Sequence, residues 1–190
     1  MDNLIGWYIA DSVVESGGVV SVWTDYSGSN YNLEQATVDR RPIVDYGALN
    51  GHNVVVFDGS NDKMSVDYGM LYSSPLTLFI VFNSTAVKNY NIFDGLDASN
   101  RFTCWYQTSV SSFRFYNGGT VSNFSSDSDI DFSQMSYVGS DSYNQVFING
   151  ESMVYQSSAN GSIGGLILGN HYSVSQYLQG SVAEILFYNS

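Results

Sequence analysis

Cysteine is almost missing from this chain: Cys104 stands alone among 190 residues, which excludes an intrachain disulfide and any thiolate metal cluster. Stability must come from packing. Basic residues are scarce too, six Lys and Arg against 18 Asp and Glu, and the formal charge of −12 opposes both phosphate contacts and attraction to anionic lipid. Nucleic acid and membranes are therefore not expected partners. There are two prolines, Pro42 and Pro75, both at loop-like positions, and no apolar run approaches the roughly 20 residues that span a bilayer. The start, Met1-Asp2-Asn3-Leu4, has neither the basic lead nor the apolar run of a signal peptide. Helical periodicity is nearly absent, so no phosphate-cradling glycine loop can lead into a helix.

What remains is rich in strand signals. Short apolar or alternating runs recur along the chain, among them Leu4 to Ala10, Val54 to Phe57, Leu76 to Asn83, Arg101 to Gln107, Ser112 to Asn117 and Ser181 to Tyr188. So many strands demand two stacked sheets. Asn149-Gly150 predicts a type I′ hairpin, with Val146 and Ile148 pairing near Met153 and Tyr155, and Asn117-Gly118-Gly119 predicts a second turn toward Val121 and Phe124. Leu76 to Phe82 is apolar at both alternating positions, which predicts a central strand covered on each face. With 44% hydrophobic residues and no linker, residues 1–190 are read as one all-β domain, an antiparallel two-sheet sandwich.

Two ordered sets of residues sharpen this. Trp23, Asp25, Ser27 and Gly28, then Arg41-Pro42, then Phe57-Asp58-Gly59 and Asp62 follow one another before the middle of the chain, and Gly180, Val182, Glu184, Ile185 and Tyr188 close it. Their order and spacing resemble the concanavalin A-like, laminin-G-type β-sandwich domains, whose strands form a jelly roll. The resemblance implies a binding or structural module rather than a catalyst, and fold alone fixes neither. It further implies that Glu184, on the final strand, helps hold a structural calcium with N-terminal carbonyls. Asp25, Asp58 and Asp62 read as turn formers, since no partner acid or metal spacing stands near them.

Catalytic chemistry finds little support. Glycoside hydrolysis needs two carboxyl groups across the scissile bond, yet Glu15, Glu34, Glu151 and Glu184 are scattered and no E-x-D-x-x-E run occurs. A glycoside hydrolase is the remotest of the alternatives. Cys104 shares a strand face with Phe102 and Tyr106, as a small buried hydrophobe would, and only His52 and His171 could serve as its base. The chain is expected to be no enzyme and to require no cofactor.

Calcium is the one ion the composition favours, because oxygen ligands abound. Candidate ligands are Asp94 and Asp97 in the loop Asp94 to Asn100, besides Glu184. The run Asp127-Ser128-Asp129-Ile130-Asp131 has acidic spacing, but Phe132 replaces the glycine an EF-hand requires. For ligands, flat rings flanked by polar groups suit a saccharide face or a protein interface. Trp7 and Trp23 are expected in the core. Trp105, Arg114 and Tyr116 should point outward from two paired strands, and Asn170, His171, Tyr172 and Tyr177 form a second, loop-borne patch. The sequons at Asn83, Asn123 and Asn160 are expected by chance in so Asn- and Ser-rich a chain.

The functional expectation is a surface module of a phage virion, as head decoration, fibre or tail-associated protein, that binds a glycan, a host-surface receptor or a neighbouring virion protein. A secreted bacterial carbohydrate-binding or adhesin domain, hence an extracellular place, is the alternative. Any homo-oligomer would form through sheet edges, loops or an attachment partner.

Overall fold

The computed structural model describes residues 3–119, 121–157 and 161–190, so the sequon residue Asn160 lies outside the described residues. Among them the strands are β1 (Leu4–Ser16), β2 (Val19–Asp25), β3 (Leu33–Glu34), β4 (Ile43–Leu49), β5 (His52–Asp58), β6 (Met64–Ser73), β7 (Leu76–Thr85) and β8 (Tyr90–Asp94). The second half adds β9 (Phe102–Gln107), β10 (Ser112–Asn117), β11 (Ser122–Ser125), β12 (Asp129–Gly139), β13 (Tyr143–Ile148), β14 (Glu151–Ser157), β15 (Ser162–Leu168) and β16 (Gln179–Tyr188). Among the described residues helix is limited to the three-residue 3₁₀ turns Val38–Arg40 and Thr108–Val110, so none there is long and apolar enough to cross a membrane. The fold is all-β and sandwich-like.

Hydrogen bonding runs in one path, β11-β10-β9-β8-β15-β6-β3-β2 and onward through β4-β5-β16-β7-β12-β13-β14, with every pairing antiparallel. The two halves of this path face each other. Phe102 of β9 stacks on Tyr137 of β12 at 4.3 Å between centroids, and Phe82 of β7 meets Phe113 of β10 edge-on at 6.3 Å. These rings belong to one buried cluster that also contains Trp23, Phe57, Cys104 and Phe187. Each large side chain buried there contributes about 1.5–3 kcal/mol, and truncating a ring such as Phe102 to Ala costs about 3–5 kcal/mol.

The halves are not two separate sheets as the jelly-roll expectation had it. β1 pairs with both β16 and β2, and since β2 also meets β4, β4 meets β5 and β5 meets β16, five strands close into a ring. The length of β1 makes this possible. Its Leu4-to-Ile9 half lies along β16 and its Val13-to-Ser16 half along β2, with a register break between Tyr8 and Val13 where the strand changes partner.

The Asn149-Gly150 turn forms with φ of 50° and 84°, as a type I′ hairpin requires. Its register differs from the expected one. Ile148 faces Glu151 and Val146 faces Val154, because a two-residue turn joins the strands directly and an irregularity at Met153 absorbs one residue. β10 and β11 pair as expected, Phe113 opposite Phe124. β7 is central, between β12 and β16, but of its apolar run only Leu76, Leu78, Ile80 and Phe82 are buried. Its other face is open, with Phe79 36% exposed, because no layer packs on the outside of a two-layer fold.

The acidic turn formers act as such. Asp25 accepts the backbone N–H groups of Trp7, Ser27 and Tyr31; Asp58 accepts those of Ser60 and Asn61; Asp62 accepts that of Asp58. Each carboxylate satisfies donors that a tight turn leaves unpaired.

Candidate functional site

On the outer face of the β8 to β11 region, antiparallel register places Asn91 opposite Trp105, Trp105 opposite Arg114, and Arg114 opposite Asn123. Opposed residues share a face, so these four form a row across the strands. Tyr116, opposite Thr103, belongs to the next row. Phe102, Cys104 and Tyr106 take the inward positions and are buried, as alternation predicts, and burial pushes the Cys104 thiol up.

Within the row the Arg114 guanidinium lies over the Trp105 ring, 5.6 Å from its centroid, a cation–π contact worth about 0.5–2 kcal/mol depending on desolvation. Nη1 of Arg114 donates to Oε1 of Gln107. Its Nε is buried with no acceptor, and among the described residues Arg114 makes no ion pair. Trp105 and Tyr116 are half-buried, and Asn123 is exposed beside them.

The second patch sits on the loop between β15 and β16. Gly169 opens it with φ of 83°, and a Cβ there would lie 2.5 Å from Cδ1 of Phe57, so glycine alone lets the chain turn outward at this point. The loop is then tied down. The N–H of Gly169 donates to the carbonyl of Ile92, that of Asn91 donates to the carbonyl of Gln176, and Oδ1 of Asn170 accepts the N–H of Gln176.

Asp94 anchors the same loop. Its carboxylate is fully buried and takes a bidentate bond from Arg101, Nε to Oδ1 at 2.9 Å and Nη2 to Oδ2 at 2.7 Å. Oδ1 also accepts the N–H of Gly95, and Oδ2 faces the N–H of Tyr172 and the side-chain amide of Asn91. Arg101 in turn lies 4.8 Å from the centroid of the Tyr172 ring, and His171 packs on Tyr172. A buried carboxylate is tolerated here because a rigid fork and three further donors surround it.

His171 is held neutral. Its Nδ1 accepts the N–H groups of Ser173 and Val174 at 3.1 and 3.3 Å, which requires that nitrogen to be unprotonated. Burial lowers its pKa, with Asp94 acting against that shift and Arg101 with it. Ser173, His171 and Asp94 thus fall in a line with the composition of a hydrolytic triad, but the geometry does not support one. Oγ of Ser173 is 3.4 Å from Nδ1, Nε2 is 3.8 Å from Asp94, and the Asp94 oxygens are already held by Arg101.

Asn91 joins the two patches. Its side-chain amide reaches Oδ2 of Asp94 and Oγ1 of Thr103, while its backbone carries the loop. Trp105, Arg114 and Tyr116 therefore share one outer face with the loop that bears His171 and Tyr172. Sequence reading missed Arg101, Asn91 and Gln107. An acid ending one strand and a base opening the next, seven residues on, was the available signal for Arg101.

The three calcium candidates do not converge. Among the described residues no group of three or more His, Cys, Asp or Glu is arranged to hold a metal ion. Asp94 has its oxygens occupied, and exposed Asp97 caps the N–H groups of Ser99 and Asn100. Glu184 faces outward from β16, where its Oε1 accepts Nε1 of Trp7 at 2.8 Å. Trp7 is thus half-buried on the outer face rather than in the core, because Ile5 and Tyr8 fill the inward positions around the bulge in β1. Trp23 is fully buried, as expected. Asp127, Asp129 and Asp131 are exposed around the start of β12, a solvated acidic turn. A groove of about 570 Å³ lies beside Glu184, bordered by Ile9, Asp11, Tyr26, His52 and Val81.

No protein-family model matches the chain, and no curated protein matches its sequence. Solved structures resemble its fold. Domain 4 of AbnA, a GH43 extracellular arabinanase of Geobacillus stearothermophilus solved with arabinotriose, aligns with a TM-score of 0.67 and 13% identity over 98% of this chain and 92% of that domain. A Trypanosoma rangeli sialidase in complex with 2,3-difluorosialic acid aligns with a TM-score of 0.68 and 14% identity over the whole of this chain and 31% of the enzyme. A botulinum neurotoxin type C structure, whose cell entry depends on two ganglioside molecules, gives 0.68 and 11% over 100% of this chain and 48% of that one. The chain spans about a third of the sialidase and half of the toxin fragment. At these identities the likeness is one of fold.

Proposed function

We propose that this chain is a non-enzymatic surface module that binds a glycan on the outer face of β8, β9 and β10. The observation that carries the reading is the row with Trp105 and Arg114, together with Tyr116 in the row beside it. It presents half-exposed rings beside the amides of Gln107 and Asn123, the pairing of flat apolar faces with hydroxyl-bonding groups that saccharides need. Three structures of like fold were solved with, or described by, saccharide or ganglioside ligands, which supports the same reading by analogy. Among the described residues no activated nucleophile accompanies the row, and the Ser173, His171 and Asp94 line serves to hold a loop.

The setting we propose is the surface of a phage virion, with the module a concanavalin A-like or laminin-G-like decoration, fibre or tail-associated part. An acidic surface built largely from Ser, Asn, Asp, Gly and Tyr supports it, as it equally would an extracellular bacterial adhesin domain. A glycan array on the purified chain tests the binding role. Specific binding that Tyr116→Ala reduces, with melting temperature unchanged, is the expected result. If no glycan binds, the reading fails and the row is left as an assembly contact.

A further inference from the structure

Glu184 is unlike the other acids of the chain. Among the described residues Asp25, Asp62 and Asp94 are buried with backbone N–H groups or Arg101 as partners, and every remaining acid except Glu184 is exposed to solvent. Glu184 alone is half-buried. It stands mid-strand on β16, where Oε1 accepts the indole N–H of Trp7 and, among the described residues, no donor meets Oε2. Its surroundings are largely apolar. Register sets Ile9, Glu184, Val81 and Gln134 in one outward row across β1, β16, β7 and β12, and Trp7, Leu186, Phe79 and Ser136 in the next. Phe79 meets Tyr188 edge-on, and Trp7 meets Tyr26 in the same way.

Two grooves meet at this carboxylate. The one of about 570 Å³ and a second of about 450 Å³, against Phe79, Leu186 and Tyr188, share Glu184 and Val81 as a common border and so form one trough. An apolar and aromatic patch with a single charge at its centre has the make-up of an interface core. Covering Glu184 with an apolar group would strand its charge, a cost that a facing cation removes. This chain does not supply that cation. None of its six Lys and Arg lies on β1, β7, β12 or β16, and among the described residues Glu184 makes no ion pair, so a second copy laid face to face would bring carboxylate toward carboxylate.

We infer that the outer face of β1, β16, β7 and β12 is a docking surface for a different protein, which sets a Lys or Arg side chain against Oε2 of Glu184 and apolar side chains in the two grooves. The long stem of such a side chain lies well along Ile9 and Val81 while its head reaches the carboxylate. The bond from Trp7 holds Glu184 in place before the partner arrives, which lowers the ordering cost of the contact. The two halves of the sandwich turn their outer faces apart, so this surface looks away from Trp105 and Arg114. Anchoring here leaves the Trp105 face free, and the inference stands independently of the glycan reading.

The test titrates the whole isotope-labelled chain, followed by NMR, with an acetylated and amidated tripeptide of arginine between two leucines and with its twin in which neutral citrulline replaces the arginine. The indole N–H of Trp7 reports on Glu184, and those of Trp23 and Trp105 serve as controls. The arginine peptide should shift the Trp7 signal saturably and bind about fivefold or more tightly than its twin, the difference between a charge-assisted and a neutral hydrogen bond. n-Butylguanidinium, the same head without apolar flanks, should bind more weakly than the arginine peptide. Glu184→Gln, which keeps an acceptor for Trp7 but no charge, should bring the two peptides to one affinity, and Phe79→Ala should weaken both alike. Melting curves establish that the variants fold; if Glu184→Gln does not, the matched peptides on the unaltered chain and on Phe79→Ala decide. Equal binding of the two peptides, no shift at Trp7 with either, or an arginine preference that survives in Glu184→Gln would overturn the inference. Binding of n-butylguanidinium as tight as that of the peptide would reduce the trough to a small-cation site and overturn docking. Self-association in sedimentation that Phe79→Ala abolishes would give the face to a second copy and overturn it as well. None of these results touches the glycan reading, and a blank glycan array leaves this inference standing.

Discussion

Asp94→Asn tests the physical basis of the site. The substitution keeps the shape of the side chain and one acceptor oxygen but removes the charge facing Arg101. Asp94 is fully buried while the Arg101 side chain is 18% exposed, so the arginine can recover some hydration when its partner becomes neutral. Removing one member of a buried pair costs about 3–5 kcal/mol, and the exposure of Arg101 together with the acceptor kept by Asn lowers the expectation to about 3 kcal/mol. For a domain of this length each kcal/mol moves the midpoint by about 2–4 °C, so the melting temperature should fall by about 6–12 °C. Differential scanning calorimetry at pH 7 reads this directly. A double variant, Asp94→Asn with Arg101→Gln, should lose less than the sum of the two single changes, because the second no longer strands a charge. A single-variant midpoint within about 1 °C of the unaltered chain would refute the claim that this pair anchors the loop over β8.

Other consequences concern pH and metal. Burial pushes the Asp62 carboxyl up to about 6, partly opposed by the N–H of Asp58 and reinforced by the Asp58 charge. The folded state therefore holds a proton that the unfolded chain releases near pH 4, and stability should decline as pH rises through about 6. Asp62→Asn should flatten that decline in melting curves from pH 4 to 8 and be the more stable protein at pH 8. His171 behaves oppositely: its lowered pKa means that the neutral ring's contribution is complete above about 6.5 and is lost as pH falls toward the folded value. Hydrogen exchange at the Ser173 and Val174 amides should lose protection between pH 7.5 and 5, and His171→Asn, which keeps an acceptor, should remove the pH dependence. EDTA should leave the melting temperature unchanged, since the Asp94 oxygens are taken and the three candidate acids stand apart; a fall would reveal an ion.

Much of the fold was legible because its signals are local. Asn149-Gly150 dictates its own turn, and the alternation of Phe102, Cys104 and Tyr106 with Trp105 says which side each faces. β4 was not foreseen, since Asp45 and Gly47 interrupt its apolar pattern and most of its residues are exposed. Trp7 was misplaced for a related reason. A bulge between Leu4 and Gly6 shifts the face that an aromatic in an apolar strand would otherwise take. β8 is buried throughout although it belongs to an outer sheet, because a loop some 80 residues later covers it. No local pattern encodes that cover. The candidate site was half legible: outward Trp105, Arg114 and Tyr116 follow from alternation, but their junction with His171 and Tyr172 through Asn91 and Asp94 depends on tertiary contacts between distant segments.

The central claim, that the Trp105 face takes a saccharide, is tested most directly by isothermal titration of the unaltered chain and Trp105→Ala with the best ligand from the array. Trp105→Ala should weaken binding about tenfold or more, the loss of one stacked ring and of the platform that orients Arg114, while its melting temperature stays close to that of the unaltered chain. Undiminished affinity in a folded Trp105→Ala protein would contradict the account.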